Sequence, residues 1–117
     1  MTDQELLMAH VQAFNEGIKT HNFCAMIALF ADDGVMAFEN IPVGPFVGRE
    51  AIAKAYSENP PTDEIVVLRT QDLSDHFLAE FAWSSTPAER GGDLEIYSST
   101  GSIVRLTVVY GGSPDSW

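Results

Sequence analysis

Apolar residues recur at steps of four, three and four near the start of the chain, at Leu7, Val11, Phe14 and Ile18. That period places them on one stripe of a helix. Thr2 and Glu5 have the spacing of a capping box, so the stretch "TDQELLMAHVQAFNEGIKTHN" is predicted to be the first helix. His10 falls close to the Phe14 face, one turn earlier. Asn22 reads as the N-cap of a second helix, "FCAMIALFA", with Phe23, Met26, Ile27 and Phe30 facing the core. Asp32, Asp33 and Gly34 are predicted to stop it, Gly34 by taking a positive φ. "VMAFE" fits a strand and "NIPVGPFVG" a loop or broken edge. "REAIAKAYSEN" then reads as a third helix, ended by Pro60 and Pro61.

From Asp63 onward the period changes from helical to alternating. "EIVVLRTQDL" and "HFLAEFAWSS" are runs of β-branched and aromatic residues. In the second, Phe77, Ala79, Phe81 and Trp83 share one face and His76, Leu78, Glu80 and Ala82 the other. "DLEIYSSTGSIVRLTVVY" predicts a hairpin whose turn needs a left-handed residue at Gly101. "GGSPDSW" reads as a short polar tail over 111–117, anchored at most through Trp117. Segregated helices and antiparallel strands define an α+β fold in a single domain, residues 1–117. A bent sheet over helices would enclose a cavity, where ligand sites concentrate.

Composition narrows the partners. The formal charge is −11 with only six Lys and Arg, which would repel a phosphate backbone or an anionic membrane. The acidic start "MTDQELL" lacks the basic segment of a signal peptide, and no apolar run approaches a membrane span, so a cytoplasmic location is expected. Cys24 is the lone cysteine and sits in an apolar run, where it reads as a small buried hydrophobe. GxGxxG, P-loop, HExxH and CxxC patterns are absent, His10, His21 and His76 lack metal-ligand spacing, and the serines of "WSSTP" and "YSST" lie in no nucleophile elbow. Neither a metal nor an organic cofactor is therefore expected.

"LFADD", the loop leading into "GPFVGREAIAKAY", the "FAW" strand and the terminal "TGSIVRLTVVY" hairpin resemble the ketosteroid isomerase and SnoaL-like polyketide cyclase superfamily, over roughly residues 4–110. The resemblance implies a cone-shaped, strongly curved and mostly antiparallel sheet wrapped around three N-terminal helices, the cystatin-like or nuclear-transport-factor-like α+β barrel. It also implies a homodimer. The fold hosts isomerases, cyclases, dehydratases and inert binding proteins, so it does not fix an activity.

Carrying over the isomerase site residue by residue gives a broken set. The general-base aspartate falls on Phe38 and the oxyanion-hole tyrosine on Phe14. The supporting tyrosine falls on Tyr56, the protonated oxyanion-hole aspartate on Asp93, and the apolar wall on Leu106 and Tyr110. Phe14 donates no hydrogen bond and Phe38 accepts no proton, so the isomerase mechanism does not transfer intact. Asp93 is then expected to enter an apolar cavity beside Tyr97, where a neutral carboxyl can exchange protons. Tyr56 would orient or donate, and His10 is a second candidate base. Glu39 points away from Phe38 in a regular strand and reaches the pocket only through a bulge; "EN" reads first as a strand end. Asn40 shares the Phe38 face as a neutral donor at the mouth. Phe14, Phe38 and Trp83 read as pocket wall. The expected chemistry is isomerisation, cyclisation or dehydration of a small hydrophobic carbonyl or polyketide-like molecule, with a non-catalytic binding or dimerisation module as the alternative.

Overall fold

The structure is a computed structural model that describes residues 2–111. The expectations for the tail beyond Gly111, including Trp117, lie outside the described residues.

Helix α1 runs over Asp3–Thr20. Its capping box is formed as the spacing predicts: Thr2 Oγ1 accepts from the Glu5 N–H at 3.1 Å, and Glu5 Oε1 accepts from the Thr2 N–H at 3.0 Å. The second helix is far shorter than the apolar pattern suggests. Helix α2 covers only Cys24–Ile27, and strand β1 starts at Phe30 and continues to Glu39. Asp32, Asp33 and Gly34 therefore lie inside a strand and do not end a helix. Pairing with the final strand overrides local preference here: Phe30 lies opposite Ile103, with an irregularity before Val35 that leaves both aspartates exposed. Gly34 is required for a close approach, because a Cβ there would lie 2.9 Å from the Ile103 carbonyl oxygen.

A two-residue edge strand, β2 (Phe46–Val47), precedes helix α3 (Arg49–Glu58). Arg49 ties the helix start to β1, donating from Nε to the Phe30 carbonyl and from Nη1 to Asp32, both at 2.8 Å. Strands β3 (Ile65–Asp72), β4 (Phe77–Trp83), β5 (Gly92–Ser99) and β6 (Ser102–Tyr110) complete the chain. The β5–β6 turn has Thr100 and Gly101 both at positive φ, 52° and 83°, the geometry that matches strand twist in a two-residue hairpin.

The six strands form one sheet in the order β2-β1-β6-β5-β4-β3. Every neighbouring pair is antiparallel except β1 and β6. Irregularities in β1, β3 and β5 help to bend it. The helices fill the concave face, where Leu6, Leu7, Met26, Phe30, Ile52 and Ile96 are almost wholly buried. Asn15 fixes α1 to the sheet edge: its side chain accepts from the Ile65 N–H at 2.7 Å and donates to the Ile65 carbonyl at 2.9 Å.

Candidate functional site

Between the helices and the concave face lies a cavity of about 560 Å³, within the usual range for small-molecule sites. His10 and Phe14 come from α1, Tyr56 from α3 and Phe38 from β1. Phe81 and Trp83 of β4, Leu94 of β5, and Leu106, Val108 and Tyr110 of β6 form the sheet wall. Ile41, Val43 and Phe46 close one side, and Glu58, Asn59 and Pro61 lie at the end of α3. No Lys or Arg lines it.

The aromatic residues form two linked groups. Phe46, Phe38, Tyr110, Trp83 and Phe81 follow one another with ring centroids 5.2–6.4 Å apart. Tyr56 packs on Phe23 at 4.9 Å and edge-on to Phe14 at 6.4 Å. Gly17 permits this second group, since a Cβ there would meet the Phe23 ring at 2.4 Å. Burial raises the pKa of Tyr56, with the nearby Tyr110 phenol adding to the effect, and burial also raises that of Tyr110. Both phenols therefore remain protonated hydrogen-bond donors at neutral pH.

His10 is the unusual member. It is 2% exposed, with its ring 6.4 Å from Phe14 and edge-on to Phe30 at 6.0 Å. Neither ring nitrogen has a hydrogen-bond partner. Desolvation lowers its pKa from 6.5 to about 4, so the imidazole is neutral near pH 7. A buried polar group left unpaired costs roughly 1–3 kcal/mol, and such groups call for an explanation.

Seven of the ten residues singled out from the sequence line the cavity: His10, Phe14, Phe38, Tyr56, Trp83, Leu106 and Tyr110. The other three do not. Asp93 is buried, but behind the sheet. The β5 register places Leu94 opposite Ala79 and Val108, facing the cavity, and turns Asp93 away with Glu80 and Val109 as its partners. Its carboxylate Oδ1 lies 2.6 Å from Arg90 Nη2. Arg90 Nε also donates to Glu80 at 2.7 Å, and Arg69 reaches the same carboxylate at 3.2 Å. Desolvation pushes the Glu80 pKa up, but hydrogen bonds from Arg90 and Arg69 outweigh it and the net shift is downward. Asp93 is thus corrected from a cavity acid to a member of a charged network.

Glu39 is exposed, and β1 runs regularly from Val35, so no bulge turns it inward. It ends the strand, on the side that carries Glu95. Asn40 leaves the Phe38 face because it takes a left-handed conformation, φ 70°. Its Nδ2 donates to the Tyr110 carbonyl at 2.8 Å, outside the cavity lining.

A family model for the SnoaL-like domain matches residues 11–110. The chain is a member of the SnoaL-like family. Solved structures agree on the fold. An NTF2-like protein of unknown function from Cytophaga hutchinsonii superposes with a TM-score of 0.72 at 16% identity, covering 99% of this chain and 94% of that one. A Mycobacterium tuberculosis protein in complex with estradiol-17beta-hemisuccinate gives 0.68 at 14% identity, covering 94% and 95%. A putative isomerase from Bacillus subtilis gives 0.66 at 15%, covering 95% and 90%. No curated protein matches the chain. Among the described residues of this SnoaL-like domain, no helix is long and apolar enough to cross a membrane, and no cluster of His, Cys, Asp or Glu is arranged to hold a metal ion.

Sequence reasoning passed over the Ile41–Phe46 wall, Glu58, Asn59, Ile65, Leu94, Val108 and the network hub Arg90. A usable signal existed for Leu94. In "DLEIY" the apolar Leu94 and Ile96 alternate with Asp93, Glu95 and Tyr97, which already assigns Leu94 to the core face.

Proposed function

We propose that the cavity takes a neutral, mostly apolar molecule bearing a carbonyl or hydroxyl group, and that His10 exchanges protons with it in an isomerisation, cyclisation or dehydration. The observation that carries this reading is the buried imidazole of a cavity-lining residue, with neither ring nitrogen partnered. One nitrogen offers a lone pair and the other an N–H. A ligand oxygen that accepts from the N–H, or a ligand proton taken by the lone pair, removes the cost of leaving them unpaired.

The proton balance is simple. His10 accepts a proton from the carbon beside the carbonyl, the carbonyl oxygen gains the negative charge, and the Tyr56 and Tyr110 phenols are candidate donors to it. The proton then returns to another carbon, or leaves with a hydroxyl as water. The low pKa of His10 reflects burial without a counter-charge. The enolate formed in the step is that counter-charge, so the imidazolium gains a partner only when it is needed. The steroid rings of the hemisuccinate bound to the mycobacterial protein of the same fold support an apolar ligand body of that bulk, while its carboxylate would find no Lys or Arg in the lining of this cavity.

A second reading is a non-catalytic binding pocket. It is favoured by the position of Asp93, whose removal behind the sheet takes the expected carboxyl out of the cavity. The two are separated by NMR in D2O with an enolisable apolar ketone, 2-acetylnaphthalene, as probe. The enzyme reading expects protein-dependent exchange of the protons beside the carbonyl, abolished by His10→Leu. Binding without exchange supports the pocket reading.

A further inference from the structure

The charged cluster behind the sheet takes no part in that chemistry, yet it is tied to a cavity wall. Arg90 precedes β5 and is its hub: Nε holds Glu80, Nη2 faces Asp93, and Nη1 donates to the Gly111 carbonyl. The Gly111 N–H donates back to the Gly91 carbonyl at 3.0 Å. Gly111 follows Tyr110 directly, and the Tyr110 carbonyl accepts from Asn40. The Tyr110 ring stands 6.4 Å from those of Phe38 and Trp83 inside the aromatic wall.

We propose that Arg90 is a positioning residue for the cavity: it pins the end of β6 from behind the sheet and thereby sets the Tyr110 ring. Glu80 and Asp93 are Cα partners on adjacent strands, a placement in which like charges repel. A planar guanidinium between them relieves that repulsion, and the two carboxylates fix its orientation. The third donor is then held toward Gly111. Strand ends fray unless they are tied down, and Tyr110 is the last residue of β6, paired across β5 only to Gly92. The clamp converts that end into a fixed wall.

Amide hydrogen exchange and ring–ring NOEs in the wild type, Arg90→Ala and Arg90→Lys test this independently of what the cavity binds. Gly111 exchange should accelerate at least about tenfold more than that of Leu106, and the Tyr110–Trp83 NOE should weaken. Arg90→Lys, which keeps the charge and loses the fork, should fall between; if Arg90→Ala does not fold, it carries the comparison alone. Unchanged Gly111 protection in a folded variant overturns the proposal, as does a loss spread evenly along β6.

A second readout is the affinity for the neutral fluorophore N-phenyl-1-naphthylamine. It should drop severalfold in the Arg90 variant and drop no further when Tyr110 is already Ala; equal losses in both backgrounds overturn the proposal. If the wild type does not take up the fluorophore, the cavity reading fails, and the exchange data still decide the role of Arg90.

Discussion

The two faces of the sheet hold buried polar groups of opposite kinds. On the concave face His10 is buried with neither nitrogen satisfied. Behind the sheet Glu80 and Asp93 are also buried, though less deeply, and guanidinium groups meet them at 2.6–3.3 Å. Burial alone therefore does not mark a site. A paired charge explains itself through the strands it joins. An unpaired imidazole in the wall of an apolar hollow has no such explanation within the described residues.

The largest expected effect breaks the network side of this contrast. Arg90→Ala takes the shared guanidinium from two facing, largely buried carboxylates and leaves Arg69 at Glu80, and urea denaturation should show a loss of up to roughly 3–5 kcal/mol. A loss below about 1 kcal/mol would mean that the network is solvated and weak. The next effect belongs to the cavity side. The folded-state pKa of His10 is lowered to about 4 from 6.5. Between those values the unfolded chain takes up a proton that the folded protein refuses, so stability falls as pH drops through that window and levels off below it. The total is about 3 kcal/mol, at 1.36 kcal/mol per pH unit. Denaturation midpoints from pH 7 to pH 4 should show this slope in the wild type and a clearly smaller one in His10→Leu, where carboxylates such as Glu80 still contribute; at pH 7 that variant should be equally or more stable.

A smaller effect tests how the cavity is assembled. Asn15→Ala removes both hydrogen bonds to the Ile65 backbone, and should cost roughly 1–3 kcal/mol while raising hydrogen exchange at the start of β3. Retained protection at Ile65 would show that the edge holds without it. The smallest effect is the most discriminating. Asp93→Asn keeps an oxygen acceptor for Arg90, so turnover or ligand affinity should change by less than about threefold, against at least the ~100-fold expected for losing an acid–base group. A collapse of activity in that folded variant would return Asp93 to the mechanism.

Much of the fold was legible because local and global signals agreed. The α1 stripe, its capping box, the strand alternation after Asp63 and the Thr100–Gly101 turn each form as their residues suggest. The error at "FCAMIALFA" arose where they disagree. An apolar run reads as either a helix or a buried strand, and only the distant partner Ile103 decides for the strand at Phe30. In the site, Phe14 and Trp83, which helical period and alternation also mark, lie on the cavity, as do Phe38, Tyr56, Leu106 and Tyr110, which the family correspondence supplied. Asp93 did not, because a one-residue offset in a family correspondence moves a side chain to the opposite face of the sheet. The alternation in "DLEIY" carried the right register. Arg90 was invisible from sequence, since its three contacts join a turn, two strands and the end of the last strand.

The most direct test is the 15N NMR signal of the His10 imidazole during titration with 2-acetylnaphthalene and with 2-isopropylnaphthalene, a hydrocarbon of matching shape. If the unpaired imidazole is the site, the ketone shifts the His10 ring nitrogens and binds at least about tenfold more tightly than the hydrocarbon, a difference of about 1.4 kcal/mol. Equal affinities with an unmoved His10 signal would contradict the account and leave the cavity as an apolar hollow without a polar reader.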